Sequence, residues 1–388
     1  MTVQTSIVVI GGGYAGVLAA NRLQSHPGAA VTLVNPRPQF VERIRLHQLA
    51  AGNHDAVADY HKLLHPAVTL VVDAAVRIDA DATRVTLASG AELRYDYLVY
   101  AVGSTAAAPT VPGAAQHAYP LAEYEDSRRL RARLQALRPT DPIVVVGAGL
   151  TGVETAAELS EAGRPVTLVG AELTPSLGAG ARRQAGKRLG RLGVRIVEGA
   201  VSRVGATSVR LADGTEIPSA ATVWTAGFAT PGLAADSGLP TDELGRLLTD
   251  ETLTSCGSDR IVGTGDAVAP SAAPLRMSCQ AALPLAAQAA DTVLARLSGR
   301  SPAPINQAYT GQCVSLGRRT GVVQLVYRDD SPRRLWIGGR SAAGIKESIC
   351  RATLWMLGRE ARRPGSYPWL RGDARFRAER ELAEAGAR

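Results

Sequence analysis

The 388-residue sequence is poor in cysteine and lysine, and it has no long apolar run. Its four cysteines form no CxxC pair and no pair at metal-ligand spacing, which excludes a disulfide scaffold and predicts no metal site. No run of about 18 apolar residues could cross a bilayer, and no signal-peptide pattern precedes the first apolar segment. We therefore expect a cytoplasmic protein, either soluble or peripheral at the inner face of the membrane.

The charge of the chain is unevenly distributed. The formal net charge is +8, from 43 Lys and Arg against 35 Asp and Glu. Residues 331–377 contain 11 basic and three acidic residues, so the rest of the chain balances at 32 of each sign. A nucleic-acid-binding protein is expected to have a basic body, and this body is neutral. We predict no nucleic-acid partner and a local docking role for the basic segment.

One apolar-glycine motif occurs twice, and this repeat is the most informative feature of the sequence. Ile7-Val-Val-Ile-Gly-Gly-Gly-Tyr-Ala-Gly16 returns as Ile143-Val-Val-Val-Gly-Ala-Gly-Leu-Thr-Gly152. The next apolar segment, 31–34, returns at 166–169 as the same four residues, Val-Thr-Leu-Val. Each copy reads as strand, glycine turn, Ala/Leu-rich helix and second strand, a βαβ unit with buried parallel strands. The predicted fold class is therefore α/β with two Rossmann-like dinucleotide-binding domains.

The three glycines of each motif have separate roles in a dinucleotide site. In chain order they permit a tight turn, let the backbone approach a pyrophosphate, and let the helix pack closely on its strand. They are Gly11, Gly13 and Gly16 in the first motif and Gly147, Gly149 and Gly152 in the second. Free N–H groups at the helix start then hold the phosphates. The predicted contacts there are Tyr14, Ala15, Leu150 and Thr151.

The residue that ends the second strand of such a unit normally recognises a ribose, and an acid about 20 residues past the motif is usual. The first copy has Asn35 there, which can hydrogen-bond an adenosine ribose without a charge. The second copy has Gly170, and Glu172 is the nearest acid. Arginines follow only at 182 and 183, so the choice between NADH and NADPH stays open.

Three further segments contain an apolar strand and a glycine turn, and with the two motifs they make five motifs along the chain. They are Tyr97-Leu-Val-Tyr-Ala-Val-Gly-Ser104, Thr222-Val-Trp-Thr-Ala-Gly-Phe228 and Ile261-Val-Gly-Thr-Gly-Asp-Ala267. With them the chain resembles the pyridine nucleotide-disulphide oxidoreductases over residues 7–300. The resemblance implies FAD at the first motif and NADH or NADPH at the second. It implies FAD contacts at Arg43, Ala101, Gly103, Gly265, Asp266, Gln280, Ala281 and Ala282, and nicotinamide-dinucleotide contacts at Ala226 and Gly227.

The same order implies the domain limits. Residues 1–110 and 240–300 would form a discontinuous FAD domain, with the NAD(P) domain at 111–239 inserted between them. Residues 301–388 would form a smaller C-terminal α+β module. Its sequence predicts strands at 309–315 and 322–327, and a basic amphipathic helix from 343 to 357.

Residues 1–255 contain no cysteine, which excludes the family members that pass electrons to a disulfide on the first helix or in the NAD domain. A helix that faces the flavin is expected to follow Gln280-Ala-Ala282. Cys279, just before it, is either a flavin neighbour or a small buried hydrophobe. Without a thiol relay, electrons pass from the flavin directly to an external acceptor.

The resemblance then narrows to the type II NADH:quinone oxidoreductases. Phe40-Val-Glu-Arg-Ile-Arg-Leu-His-Gln-Leu-Ala-Ala-Gly52 is similar to the segment after the second strand in that group, as 314–318 and 336–340 are to its C-terminal strands. Arg45 and His47 depart from a segment that is more apolar in the group. These two residues would suit a smaller and more polar acceptor than a lipid quinone.

Three residues are candidates for the chemistry. Glu154 matches the family's glutamate near the nicotinamide, although a solvent-facing helix carboxylate is the alternative. His47 could donate a proton because an ordinary histidine titrates near neutrality, and a structural histidine is the alternative. Arg45 would lie beside the flavin and the acceptor.

Several interpretations of the whole protein stay open. The leading one is an FAD-dependent NAD(P)H dehydrogenase that reduces a quinone-like acceptor. The others are a reductase of a protein carrier such as ferredoxin or rubredoxin, which a basic face would suit, and a flavin-binding interaction protein. The basic helix could lie on an anionic membrane or pack in a protein interface, including a homodimer.

Overall fold

In the computed structural model, which describes residues 4–372, the first glycine motif joins a buried strand to a helix. Residues 7–10 are buried because a parallel strand inside a sheet is covered on both faces. The elements of this part are β1 (Thr5–Ile10), α1 (Tyr14–Leu23), β2 (Ala29–Asn35), β3 (Gln39–Val41), α2 (Leu46–Ala51), β4 (Val57–Asp59), β5 (Thr69–Val72), β6 (Ala75–Asp79), β7 (Arg84–Leu87), β8 (Glu92–Arg94), β9 (Tyr97–Tyr100) and β10 (Thr105–Ala106).

The second motif has the same local structure. Its strand is buried, and its helix begins directly after the last glycine of the turn. The elements of this part are α3 (Ala114–His117), β11 (Ala118–Pro120), α4 (Tyr124–Ala136), β12 (Ile143–Val146), α5 (Leu150–Glu161), β13 (Val166–Gly170), α6 (Ala179–Arg191), β14 (Arg195–Glu198), β15 (Val201–Val204), β16 (Ser208–Leu211), β17 (Glu216–Pro218), β18 (Ala221–Trp224) and β19 (Phe228–Ala229).

The remaining elements include the two longest helices of the described chain. They are α7 (Leu233–Asp236), β20 (Leu247–Thr249), β21 (Thr254–Ser255), β22 (Ser258–Gly263), β23 (Val268–Pro270), α8 (Cys279–Leu297), β24 (Gly311–Ser315), β25 (Gly321–Val326), β26 (Pro332–Gly338) and α9 (Gly339–Arg362).

Two sheets with the same central arrangement carry the glycine motifs. The eight-stranded sheet has the order β23-β20-β21-β22-β9-β1-β2-β5, and the five-stranded sheet has the order β11-β18-β12-β13-β14. In each, the motif strand pairs in parallel with the second strand of its βαβ unit and with the strand before a later glycine turn. This confirms the predicted fold class. The strands of the larger sheet come from residues 5–100 and 247–270. The limits of the four predicted chain segments stay predictions.

The C-terminal part is a three-stranded antiparallel sheet, β24-β25-β26, in contact with α5, α6 and α9. The helix α9, which spans Gly339–Arg362, is longer than the predicted helix. Its residue Leu357 packs into the main core. The less polar side chains of the predicted amphipathic helix do not all face the interior. Thr353 and Leu357 are buried, whereas Ile349 and Trp355 are exposed. The end of the predicted module and of the basic segment, from residue 373 onward, lies outside the described residues.

Candidate active site

The turn of the first motif is tightly packed at its first and third glycines and open at its second. Gly11 has φ +104°, and a Cβ there would overlap the carbonyl oxygen of Ala101. A Cβ on Gly16 would overlap the carbonyl oxygen of Gly11, because α1 crosses the strand end at close range. A Cβ on Gly13, by contrast, would meet no protein atom within 4 Å. The open face at Gly13, at the start of α1 with Tyr14 and Ala15, fits the phosphates of a dinucleotide.

The second motif repeats this geometry from different neighbours. Gly147 has φ +108°, and a Cβ there would lie 2.6 Å from Thr225 Oγ1. Gly152 approaches the carbonyl of Gly147, and a Cβ on Gly149 would meet no protein atom within 4 Å. The predicted contacts Leu150 and Thr151 begin α5, and Ala226 and Gly227 follow Thr225 at the end of β18. Both turns therefore fit a dinucleotide.

Asn35 holds the first turn from one side. Its Oδ1 accepts a hydrogen bond from the N–H of Gly12 at 3.0 Å, and its Nδ2 donates to the carbonyl of Arg37 at 2.8 Å. The hydroxyl of Tyr60 donates to the carbonyl of Gly12 at 2.7 Å from the other side. Tyr60 could not be predicted as part of this turn, because it lies outside both motifs and no local pattern marks it. Contact of Asn35 with a ribose stays a prediction.

The residues predicted to hold the flavin end of FAD come together from several separate segments of the chain. Gly265 lies against Ala15, since a Cβ on it would be 3.1 Å from the Ala15 methyl. The neighbouring carboxylate of Asp266 accepts from Ser104 Oγ at 2.8 Å and from the N–H of Ser278 at 3.0 Å. Burial raises the pKa of Asp266. Arg43 donates to the carbonyl of Ser104, beside Gly103.

The helix α8 starts earlier than predicted. Ser278 is its N-cap, and its hydroxyl accepts from the N–H of Ala281 at 3.3 Å. Cys279 is therefore the first helical residue, and Gln280, Ala281 and Ala282 form the first turn instead of preceding the helix. Gln280 accepts from Arg276 and donates to Thr310, which joins this turn to the C-terminal sheet. Ala281 and Ala282 are buried.

A buried acid-base pair lies where α5, β24 and α9 meet. Oε1 of Glu154 accepts from the N–H of Ser315 at 2.9 Å and from Nζ of Lys346. Glu154 is 7% exposed and Lys346 is 9% exposed, so the alternative of a solvent-facing Glu154 is wrong. Burial lowers the pKa of Lys346 to about 8. No local pattern predicts a site role for Lys346, because it lies on the predicted basic amphipathic helix like the other cations of that segment.

His47 lies on the other side of this pair. Its Nδ1 is 3.8 Å from Glu154 Oε2, and its Nε2 has no hydrogen-bond partner among the described residues. Burial, together with the cations of Lys346 and Arg318, holds the pKa of His47 well below its ordinary value. The expectation that His47 titrates near neutrality is therefore wrong, because the imidazole is fully enclosed. It is neutral at pH 7.

Arg45 is buried in an ion-pair cluster that joins α2 to α9. Its guanidinium donates to Glu42 at 3.2 Å, to Gln48 at 3.0 Å and to both carboxylate oxygens of Glu347 at 2.9 and 3.1 Å. Hydrogen bonds from Arg45 lower the pKa of Glu347 to about 2. These contacts use four of the five N–H groups of the guanidinium, so an acceptor would meet Arg45 mainly through its positive charge.

The thiols near these residues are poorly suited to a relay. Burial raises the pKa of Cys279 to about 11 and that of Cys313 to about 12. Cys350, one turn after Lys346 on α9, is buried, and burial raises its pKa as well. The reactive species of a relay is the thiolate, and at neutral pH these three groups are thiols.

The second strand end differs from the first. Gly170 carries no side chain, and Glu172, two residues further, is an exposed carboxylate paired with Arg182. The predicted ribose contact at Glu172 is therefore shared with an arginine.

The chain matches known proteins along most of its length. A family model described as pyridine nucleotide-disulphide oxidoreductase matches residues 5–291. An NADH dehydrogenase-like protein of Mycobacterium tuberculosis is 30% identical over 378 residues, covering 89% of this chain and 93% of that protein. The demethylphylloquinone reductase of Synechocystis is 28% identical over 345 residues, covering 80% and 84%.

Solved structures show the same fold at lower identity. The sulfide:quinone oxidoreductase of Aquifex aeolicus has a TM-score of 0.79 at 20% identity and covers 92% of both chains. NDH2 of Plasmodium falciparum in complex with NADH has a TM-score of 0.77 at 15% identity, covering 94% of this chain and 99% of that one.

Proposed function

This chain belongs to the pyridine nucleotide-disulphide oxidoreductase family, and we propose that it passes electrons from NAD(P)H to a quinone or a similar small organic acceptor without a cysteine relay. It is an oxidoreductase whose cofactors are FAD and a nicotinamide dinucleotide. The open turn at Gly13 and the cluster around Asp266 would hold FAD, which would supply hydride acceptance from the reduced nicotinamide and two-electron transfer to the acceptor. Relatives named NADH dehydrogenase-like protein and demethylphylloquinone reductase support this assignment.

The buried pair of Glu154 and Lys346 is the observation that carries the proposal. Reduction of a quinone to a quinol consumes two protons along with two electrons, so a direct transfer needs a proton source inside the site. With its pKa lowered to about 8, Lys346 Nζ holds a proton at neutral pH and releases it readily. Glu154 keeps that ammonium in place and lies on the helix of the second glycine motif. The pair thus joins the helix of the second glycine motif to the C-terminal helix α9.

The state of the thiols supports direct transfer. A relay would need a thiolate beside the flavin, and burial keeps Cys279 and Cys313 protonated at neutral pH. His47 is neutral and therefore a poor acid, although it can orient Glu154. Among these groups, Lys346 is the one with a proton to give near pH 7.

Anaerobic stopped-flow measurement tests the proposal. NADH or NADPH is mixed with the FAD-loaded protein, and the flavin absorbance near 450 nm is followed. Bleaching should occur within about 0.1 s if turnover proceeds at a typical rate of about 10 s⁻¹. We expect bleaching, followed by rapid recovery when menadione is added and slow recovery with a ferredoxin. Absence of bleaching with both coenzymes would contradict the dehydrogenase assignment. Recovery that is faster with the ferredoxin than with menadione would favour a reductase of a protein carrier.

We also propose that the exposed face of α9 contacts a membrane surface. No helix within residues 4–372 is long and apolar enough to cross a membrane. Ile349 and Trp355 are 41% and 57% exposed on α9, and Arg351 and Arg359 flank them. An apolar strip with a tryptophan and flanking arginines is typical of helices that lie on anionic lipid.

Vesicle flotation tests the membrane contact. The intact protein should float with vesicles that contain an anionic lipid, and Trp355→Ser should bind them more weakly. Leu244→Ser, at another exposed apolar position (47% exposed), serves as the matched control. If Trp355→Ser instead splits a dimer and leaves flotation unchanged, this face is a subunit interface.

A further inference from the structure

The strand β26 is an outer strand of the C-terminal sheet, which has the order β24-β25-β26. The carbonyl oxygens of Arg333 and Leu335 accept hydrogen bonds from the side chain of Gln324 on β25, at 2.7 and 3.1 Å. Successive residues of a strand direct their N–H and C=O groups to alternate sides. The main-chain groups of Arg334 and Trp336 therefore point away from β25, to an edge that no strand within residues 4–372 covers. Such an edge can pair with an extended segment of another chain.

The two faces of this edge differ in chemistry. On one face Trp336 packs against α6, since a Cβ on Gly180 would lie 2.6 Å from the indole nitrogen. Because side chains alternate along a strand, Leu335 and Ile337 lie on the opposite face. They are 63% and 36% exposed. A strand added beside β26 would therefore meet α6 on the first face and apolar side chains on the second.

The side of α6 that begins at Gly180 carries unpaired cations. Gly180, Arg183, Lys187 and Arg191 recur every three or four residues and so share one side of the helix. The three cations are exposed, as is Arg334 on β26. None of these four charged groups has a hydrogen-bond or ion-pair partner within residues 4–372. Clustered cations without partners attract a negatively charged surface and repel a positively charged one.

We propose that β26 docks an acidic, extended segment of a partner protein as a fourth strand of this sheet. The main chain of the segment pairs with the outward-facing groups of Arg334 and Trp336. Its side chains alternate, with Asp or Glu facing the cations of α6 and apolar residues beside Leu335. A second copy of this chain fits poorly, because pairing two β26 strands would bring Arg333 and Arg334 of each close to those of the other. None of these residues belongs to the redox site, so the docking does not depend on the proposed function.

Fluorescence anisotropy of a labelled peptide of alternating glutamate and valine tests the docking. The FAD-loaded protein should bind the peptide, and more weakly as the salt concentration rises. A backbone-N-methylated version carries the same charges but cannot pair as a strand, and its Kd should be at least about tenfold higher. Arg183→Gln with Lys187→Gln should raise the Kd for the unmodified peptide about fivefold, as expected for two exposed ion pairs. The matched control, Arg77→Gln with Arg203→Gln, removes two exposed cations on β6 and β15 and should leave the Kd unchanged.

Substitutions at Arg334 test the strand pairing from the side of the protein. Arg334→Pro removes the outward N–H and should abolish peptide binding but keep the flavin absorbance, because an edge strand tolerates proline where its N–H faces solvent. Arg334→Gln keeps that N–H and should raise the Kd only about twofold.

Two peptides that bind equally well would overturn the docking, even if Arg334→Pro does not fold. An α6 double variant with the Kd of its matched control would overturn it as well. If the wild type is a dimer that Arg334→Pro splits, this edge binds a second copy, and the proposal fails. It also fails if the α6 double variant stops floating with vesicles that contain an anionic lipid, since this face would then contact a membrane.

Discussion

Replacing Lys346 by methionine isolates the buried pair at the proposed site. The substitution keeps the unbranched apolar stem and removes the ammonium that contacts Glu154. Among the described residues the carboxylate then keeps Ser315 alone as a hydrogen-bond donor, at 2.9 Å from its nitrogen and 3.3 Å from its hydroxyl. Removing one partner of a buried pair usually destabilises a protein by about 3–5 kcal/mol.

The loss has an upper limit that depends on pH. Glu154 can escape its unpaired charge by taking up a proton, and for an ordinary glutamate this costs about 3–4 kcal/mol at pH 7 but only about 1 kcal/mol at pH 5. We therefore expect Lys346→Met to destabilise the protein strongly at pH 7 and weakly at pH 5. Adding Glu154→Gln should restore most of the stability, because the double variant buries no unpaired charge.

Thermal unfolding of the FAD-loaded protein, followed by the rise of flavin fluorescence, measures these effects. Lys62→Met is the matched control, since the Lys62 side chain is 69% exposed and its loss should change stability by less than about 0.5 kcal/mol. A loss in Lys346→Met that is equal at pH 7 and pH 5 would refute the reasoning. So would a double variant whose losses simply add.

Three further predictions concern other parts of the site. Tyr60→Phe should raise the Kd for FAD about fivefold in a fluorescence titration, because one hydrogen bond of about 1 kcal/mol to the first turn is lost. Tyr95→Phe is the control and should leave the Kd unchanged, since the Tyr95 hydroxyl makes only a 3.4 Å contact. Gly13→Val should yield a folded protein by circular dichroism that lacks flavin absorbance, since its side chain takes the open space of the phosphates. Glu347→Gln should lower the free energy of unfolding, measured by urea denaturation, by about 1 kcal/mol after solvent screening, because the contacts with Arg45 weaken. The difference from the wild type should hold above about pH 5 and vanish as the pH falls to about 2, where the wild-type carboxylate takes up a proton.

The two glycine motifs and their strands could be predicted because their signals are local. A run of apolar residues before a glycine turn defines the strand, and the offset repeat places the second copy. The sequence pattern predicts the start of α8 a few residues too late, after Ala282, although Ser278 is an ordinary N-cap residue.

The buried pair could not be predicted in the same way. Lys346 lies on a basic helix and has the appearance of a solvated flank until α9 packs against Glu154, which is 192 residues away in the chain. The low pKa of His47 likewise arises from tertiary packing, first from its burial and then from the cations of Lys346 and Arg318 on other elements. Tyr60 reaches Gly12 across 48 residues. Such contacts depend on tertiary packing, and no periodic pattern encodes them.

The pH dependence of flavin reoxidation by menadione tests the central claim most directly. The pre-reduced protein is mixed with menadione in stopped flow between about pH 6 and pH 10, for the wild type and for Lys346→Met. Since Lys346 has a pKa of about 8 and supplies the proton, the wild-type rate should fall as the pH rises through about 8. The variant should be slower at pH 7 and show no such fall. Identical pH profiles for the two proteins would contradict a direct transfer assisted by Lys346.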